Sequence, residues 1–519
     1  MLKKTLPFLI LLNFLLISCE NGLEGNLKEN LTPSTSLTLG SINLPEGERL
    51  LSQVKISWWG DDPDGYIIGY EFYIGDPAQA NTNDWTFTEK ADSIFILPIP
   101  ENTTDADVTF SIRAVDNENA KDEDPPSLVF PIRNTAPTVV FNATETPPDT
   151  TFSIASFGFT AADPDGNSNL NRIEVALNDT TSNAIWIEVP LSSTLLTLKI
   201  ETEGVGANAK IFVGKALQEL SEIFEGVLLN SDNELFIRSI DNAESISEVK
   251  SYKWFLKEQT SRILFLNDYS GNNSQSRADL HLDLLNQLGI SSIDYIDISD
   301  GSVAGGTRVQ LTSAFHNRDL SDPTINLALA QWDYIYWISD DLNRNIGYAL
   351  ELTSQFFENG GKMFVNIPIE FISSQNSLFQ FLPFQGVQAP PDERNAEFII
   401  QKCEPISKSE GLDFQPELRF RNNVFPSYPI IPFSESIDLF QGNFKVLFRN
   451  PTAISDYDGI NTVSAMNPEQ SILYFGFDLN EFTTASANGC KDENDADAPP
   501  SDLKGLIEFI VIETLDFKQ

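Results

Sequence analysis

Histidine and sulfur are scarce in this sequence, and bases are outnumbered by acids. Its 519 residues include 2 histidines, 3 cysteines and 3 methionines. With only His281 and His316 present and no Cys-x-x-Cys pair, the ligand spacings of a zinc site are absent. Lysine and arginine total 33 against 75 aspartates and glutamates, a formal net charge of -42. Such a surface repels phosphate backbones, so no nucleic acid partner is expected. Charge on this scale speaks first to solubility rather than to a site. Phosphate-loop and nucleophile-elbow motifs are missing as well. The glycines at 301, 305 and 306 are not followed by Lys-Ser/Thr, and no Gly-x-Ser-x-Gly occurs. After residue 17 no apolar run is long enough to cross a bilayer.

The amino terminus carries a shorter apolar run. Lys3 and Lys4 precede an apolar run over residues 6–17 that ends in Leu16-Ile17-Ser18-Cys19. A run of about 12 residues is too short to span and suits an export signal. The segment resembles a bacterial lipoprotein signal with its lipobox. The resemblance implies a signal peptide over 1–18, cleavage before Cys19, and lipid attached to that cysteine. Removing Lys3 and Lys4 takes the net charge from -42 to -44. The expected location is the bacterial cell envelope, anchored by lipid to the outer membrane and either periplasmic or surface-exposed. Residues 19–44, rich in Asn, Gly, Ser and Thr, read as a flexible tether.

Two copies of one β-module follow. Val54-Lys55-Ile56-Ser57-Trp58 alternates like a strand, Asp62-Pro63-Asp64-Gly65 turns, and Tyr66 to Tyr73 returns. Asp163-Pro164-Asp165-Gly166 repeats the turn, and Arg113-Ala114-Val115-Asp116-Asn117 is echoed by Arg238-Ser239-Ile240-Asp241-Asn242. The order of the matches implies β-sandwiches over 45–134 and 135–257, with an insertion in the second where 215–226 reads as a helix. These segments resemble fibronectin type III or PKD-type modules of bacterial surface proteins, a likeness that implies an Ig-like fold and no particular function. Asp62, Asp64 and Asp116, with Asp163, Asp165 and Asp241, are candidate calcium ligands, since a hard cation takes several oxygens. The competing reading is that Asp and Gly stand there because they make turns. The acidic run at 492–497 lacks the glycine of a calcium loop and reads as solvated. Trp58, Trp59, Trp85 and Trp186 are read as core before sugar-stacking residues.

From residue 258 helical and strand periods alternate, which implies a parallel sheet covered by helices. Strands are expected at 263–267, 293–298, 332–338, 363–367 and 471–477. Helices are expected around Leu280, Leu284, Leu285 and Leu288, around Ala349 to Phe356, and at 503–515. Trp332-Asp333-Tyr334-Ile335, Gly360-Gly361-Lys362-Met363-Phe364-Val365 and Leu473-Tyr474-Phe475-Gly476-Phe477 resemble the flavodoxin-like layout of class I glutamine amidotransferase-like domains. That domain would cover 258–519, with a β-rich insertion at about 396–464. Its cysteine nucleophile is missing: Asn366-Ile367-Pro368-Ile369-Glu370 stands where the resemblance would place it. No catalytic residue is assigned, and His281 and His316 read as ordinary histidines. Asn267 and Asp268, with Asp340 and Asp341, follow strands at the edge where open α/β sheets bind ligands, and are the candidate crevice. Asp and Asn also end strands and cap helices there. Cys403 and Cys490 can pair in an oxidising compartment.

The expected function is a non-enzymatic envelope lipoprotein that binds or scaffolds a glycan, peptide or protein. The alternative is an envelope hydrolase acting on carbohydrate or peptide through the crevice carboxylates.

Overall fold

The computed structural model describes residues 29–39, 48–100, 103–203, 206–269, 273–298, 324–342, 345–370, 377–414, 417–483, 489–491 and 496–518. The signal segment, Cys19, His316, the glycines at 301–306 and residues 492–495 lie outside them. The chain divides into two compact units. The first joins residues 1–138 to Ala162–Asn171 and Ile240–Ser247, and the second holds the remainder.

In the first unit a sandwich forms from a five-stranded sheet and a three-stranded one. The larger sheet is ordered Leu50–Leu51, Ser127–Arg133, Asp105–Asp116, Ile67–Ile74 and Thr86–Thr88. The smaller is ordered Ser34–Leu39, Gln53–Asp61 and Asp92–Ile96. Alternation in Gln53–Asp61 buries Val54, Ile56 and Trp58, and the Trp58 indole packs among Tyr70, Phe95 and Phe110. Ser34–Leu39 corrects the tether reading of 19–44. It pairs antiparallel with Gln53–Asp61, so the module begins before residue 45. Its Ser-Thr-Ser-Leu-Thr-Leu composition looks like linker but alternates like an edge strand.

The second sandwich carries its core in the second unit, around Phe157, Ile173, Leu235 and Trp254. Its second sheet is widened to five strands by a hairpin, Gly206–Val213 with Gln218–Phe224. The helix expected at 215–226 is therefore a strand. Gly214 and Leu217, at φ +69° and +52°, turn the chain back, and the unpaired edge of Gly206–Val213 supplies its hydrogen-bond partners.

The same unit holds an eight-stranded sheet. Its parallel part comprises β1 (Ile263–Asp268), β2 (Asp294–Asp297), β3 (Tyr334–Ser339), β4 (Lys362–Asn366) and β5 (Ile472–Phe475), in spatial order β2-β1-β3-β4-β5. Every residue of β1 and β3 is buried, as continuous apolar runs require when both faces are covered. Helix α1 (Ser274–Gln287) buries Ser274, Ala278, His281, Leu284 and Leu285, so its inner stripe runs through the histidine and leaves Leu280 and Leu288 at the margin. Gly361 lies against the Phe356 ring, where a Cβ would come within 2.5 Å of it. The stretch read as an insertion is partly sheet: Thr462–Met466, Ile437–Gly442 and Ile406–Lys408 extend it antiparallel beyond β5.

Candidate functional site

The repeated carboxylates form two matching knots in the first unit. Asp116 Oδ1 accepts from the backbone N–H groups of Glu118 and Ala120, each at 2.8 Å, and its Oδ2 accepts from Asn30 Nδ2 at 2.6 Å. Asp241 Oδ1 accepts from Ala243 and Ser245 at 2.9 and 2.8 Å, and its Oδ2 from Asn134 Nδ2 at 2.6 Å. The residue after each asparagine repeats the match: Leu31 N donates to Asp64, and Thr135 N to Asp165. Each module thus starts with Asn-x-x-Pro, at 30–33 and 134–137. Burial raises the Asp116 pKa, but the Asn30 and backbone donors outweigh it and hold the carboxyl below its ordinary value.

These contacts revise the calcium expectation. An N–H directed at an oxygen of Asp64, Asp116, Asp165 and Asp241 occupies the approach a cation would need. Asp62 and Asp163, at matched positions, each keep a buried Oδ2 without a hydrogen-bond partner. Among the described residues no group of three or more His, Cys, Asp or Glu is placed to hold a metal ion. Asp163 pays for its place: burial above all, with the charges of Asp165 and Asp241, pushes its pKa from 3.8 to about 6.

The tryptophans repeat as well. Arg113 lies over the Trp85 ring at 4.1 Å and binds Glu71, while Arg238 lies over Trp186 at 4.0 Å and binds Glu174. A guanidinium already covers one face of each indole. Trp58 is core, and Trp59 is 56% exposed.

At the carboxyl edge of the parallel sheet the structure places the four residues expected there, in different roles. Asn267 is spent on the frame: its Nδ2 donates to Ser274 Oγ at 2.9 Å and to the Tyr295 hydroxyl at 3.0 Å. Asp268 is fully buried and accepts from Asn345 Nδ2 at 2.7 Å. Asp340 and Asp341 are half-buried after β3, where Asp341 N donates to Ser339 Oγ. Sequence reasoning missed the groups that other strands bring beside them. Glu370, beyond β4, has its pKa raised by burial and by the charges of Asp341 and Asp340. Asp478, beyond β5, pairs with Arg277 of α1 at 3.0 Å. The Tyr269 hydroxyl is held protonated by burial and by the nearby Asp478 charge. Glu481 is raised by burial and then by Asp478, against Arg421 and Arg277. Two carboxyls pushed upward, beside aspartates and the arginines Arg277 and Arg421, make an acidic cluster in which acid and base roles can be split between carboxyls. The signal that could have found these groups is the strand order, which gathers residues over 200 positions apart.

His281 lies in the core. Its Nδ1 meets the Tyr336 hydroxyl at 2.8 Å, and burial, with Arg277 adding, pushes its pKa down to about 3. Cys403 and Cys490 are bonded to each other, 87 residues apart.

No protein-family model matches this chain, and no curated protein matches it. Among solved structures, its neighbours are fibronectin type III-like modules. The fibronectin(III)-like modules of Clostridium thermocellum CbhA match at 16% identity, over 43% of this chain and 95% of that one, with a TM-score of 0.14. The two-domain fibronectin type III segment of chicken tenascin matches at 13% identity, over 43% and 97%, with a TM-score of 0.20. Chicken CNTN1 domains FN1 to FN3 match at 11%, over 44% and 68%, with a TM-score of 0.15. The two sandwiches are defined by their own strand pairing.

Proposed function

We propose that this chain is a lipid-anchored protein of the bacterial cell envelope, periplasmic or surface-exposed. In this reading two fibronectin-like sandwiches carry a flavodoxin-like, amidotransferase-related domain that binds a glycan, peptide or protein partner and does not turn it over. The spatial order β2-β1-β3-β4-β5 supports the flavodoxin-like part, because it places a switch point between β1 and β3, where such sheets bind ligands. The observation that carries the non-enzymatic part is the end of β4. In the strand after which an amidotransferase would hold its cysteine, the last residue, Asn366, is fully buried and its Nδ2 donates to the carbonyls of Phe475 at 2.9 Å and Phe477 at 2.7 Å. A side chain bound to the frame in this way is a strut between β4 and β5. The lipid anchor is supported by the Lys3-Lys4, apolar, Leu16-Ile17-Ser18-Cys19 sequence. Intact-mass analysis of detergent-extracted protein tests it: the expected species begins at Cys19 with added acyl mass, and an unmodified amino terminus overturns the reading.

A hydrolase remains the second reading because Glu370 is pushed upward beside Asp340 and Asp341, the arrangement that splits acid and base roles between carboxyls. Glycan or peptide turnover that disappears in Glu370→Gln, with the melting temperature unchanged, would favour it over the binding reading.

A further inference from the structure

A separate cleft of about 540 Å³ opens at the amino-terminal edge of the parallel sheet, between the ends of second-sandwich strands and the α/β domain. Junctions of this kind are favoured places for ligand sites. Its floor is the segment 256–262 that leads into β1, and that floor is fixed. Asp294, 2% exposed, accepts from Thr260 N at 3.1 Å, Thr260 Oγ1 at 2.9 Å, Ser261 N at 3.2 Å and Trp332 Nε1 at 2.9 Å. Gln259 Nε2 donates to the carbonyls of Ser261 at 3.1 Å and Gln331 at 2.8 Å. A cleft built this way loses little entropy when it is filled.

The charges around it point to the ligand. Lys199, Lys257 and Arg262 line the cleft, with Glu201 and Glu258 as its acids. Four of these five are engaged. Glu201 is bridged by Lys199 at 3.5 Å and by Lys210 at 3.2 Å, Arg262 pairs with Asp333, and Glu258 accepts from Asn230 Nδ2 at 3.0 Å. The buried Asp294 beneath the floor is saturated by its donors. Lys257 has no carboxylate partner among the described residues, and its Nζ lies 4.9 Å over the Phe152 ring. Of the three cations that line the cleft, Lys199 and Arg262 are engaged by carboxylates and Lys257 is not, which leaves its ammonium to take an anionic group of a ligand. Hydroxyl and amide groups from Ser153, Thr202 and Gln331 line the same space, with Leu229 and Leu256 as an apolar patch. Several hydroxyl-bonding groups beside a small apolar face suit a pyranose ring.

We propose that this cleft binds an acidic saccharide, with Lys257 taking the sugar carboxylate. The site is distinct from the carboxyl-edge crevice, and it stands or falls separately from attachment through Cys19. The test is calorimetric titration of the chain from residue 20 with a galacturonic acid trisaccharide, a glucuronic acid disaccharide, the galacturonate trimer reduced to its neutral form, and triglutamate. Saturable binding of an acidic sugar is expected, weakened by salt. The neutral trimer and Lys257→Met should each lose about tenfold in affinity, as for one charge-assisted hydrogen bond. Methionine keeps the stem over Phe152, so an unchanged melting temperature shows that the variant is folded. Absence of binding by both acidic sugars, equal binding of the neutral trimer, full affinity in Lys257→Met, or binding of triglutamate alone would each overturn the proposal. If titration fails while acyl mass is still found on Cys19, the saccharide inference falls alone.

Discussion

Asn134 reaches Asp241 across 107 positions of the chain, and its Nδ2 donates to the carboxylate at 2.6 Å. The contact ties the start of the second module to the loop that closes its longest strand, and Asn30 does the same for Asp116 in the first. Asn134→Ala leaves a fully buried carboxylate oxygen without that donor. The expected cost is about 1 to 3 kcal/mol in urea unfolding, with Asn30→Ala costing a similar amount. Faster amide exchange confined to residues 240–247 should accompany the first variant. A loss too small to measure in both variants would show that the knots do not hold the modules closed.

Stability at this end of the second module should fall as pH rises. Asp163 has a folded pKa of about 6 against an ordinary 3.8, so the folded state holds the proton more tightly than the unfolded chain. Below 3.8 both states are protonated and nothing is lost. Between 3.8 and about 6 stability declines, and above 6 the full cost of a buried charge is present. Asp163→Asn keeps an oxygen for the Asp165 N–H and removes the charge. Melting curves from pH 4 to 7.5 should show the variant gaining on the wild type as pH rises, and parallel curves would refute the assignment.

The Arg238–Trp186 stack is expected to be energetic as well as geometric. A double-mutant cycle with Arg238→Met and Trp186→Leu should give a coupling of about 0.5 to 2 kcal/mol. Additive effects would mean that the guanidinium serves Glu174 alone.

Reduction should destabilise the second unit, which holds the eight-stranded sheet. The Cys403–Cys490 bond closes a loop of 87 residues, for which chain entropy gives about 4 to 5 kcal/mol. Thiol titration of unfolded protein should find neither of these thiols until reductant is added, and unfolding should then shift to lower denaturant. Free thiols at both positions before reduction would contradict the bond.

The sandwiches were legible because alternation and turn chemistry are local: Val54, Ile56 and Trp58 face inward where the pattern places them. The partners that complete them were not, since Asn30 meets Asp116 from a stretch whose composition reads as linker. The segment 215–226 reads as a helix because Leu220, Ile223 and Phe224 fit a helical spacing, and only the open edge of Gly206–Val213 makes Gln218–Phe224 a strand. In the eight-stranded sheet the parallel strands are visible in the sequence as apolar runs. Asn267 and Asp268 could be placed at the sheet's edge from sequence, but Glu370, Asp478 and Arg277 could not, because strand order alone brings them there. His281 reads as a helix residue of either face, and its burial follows from the Ala278 and Leu285 stripe.

Attachment by a lipid on Cys19 is decided by membrane fractionation of the full-length protein and of Cys19→Ala. The wild type should remain with membranes through a carbonate wash, and the variant, which lacks the cysteine that would carry the lipid, should leave them. A Cys19→Ala protein that still sediments with washed membranes would contradict a lipid anchor at Cys19.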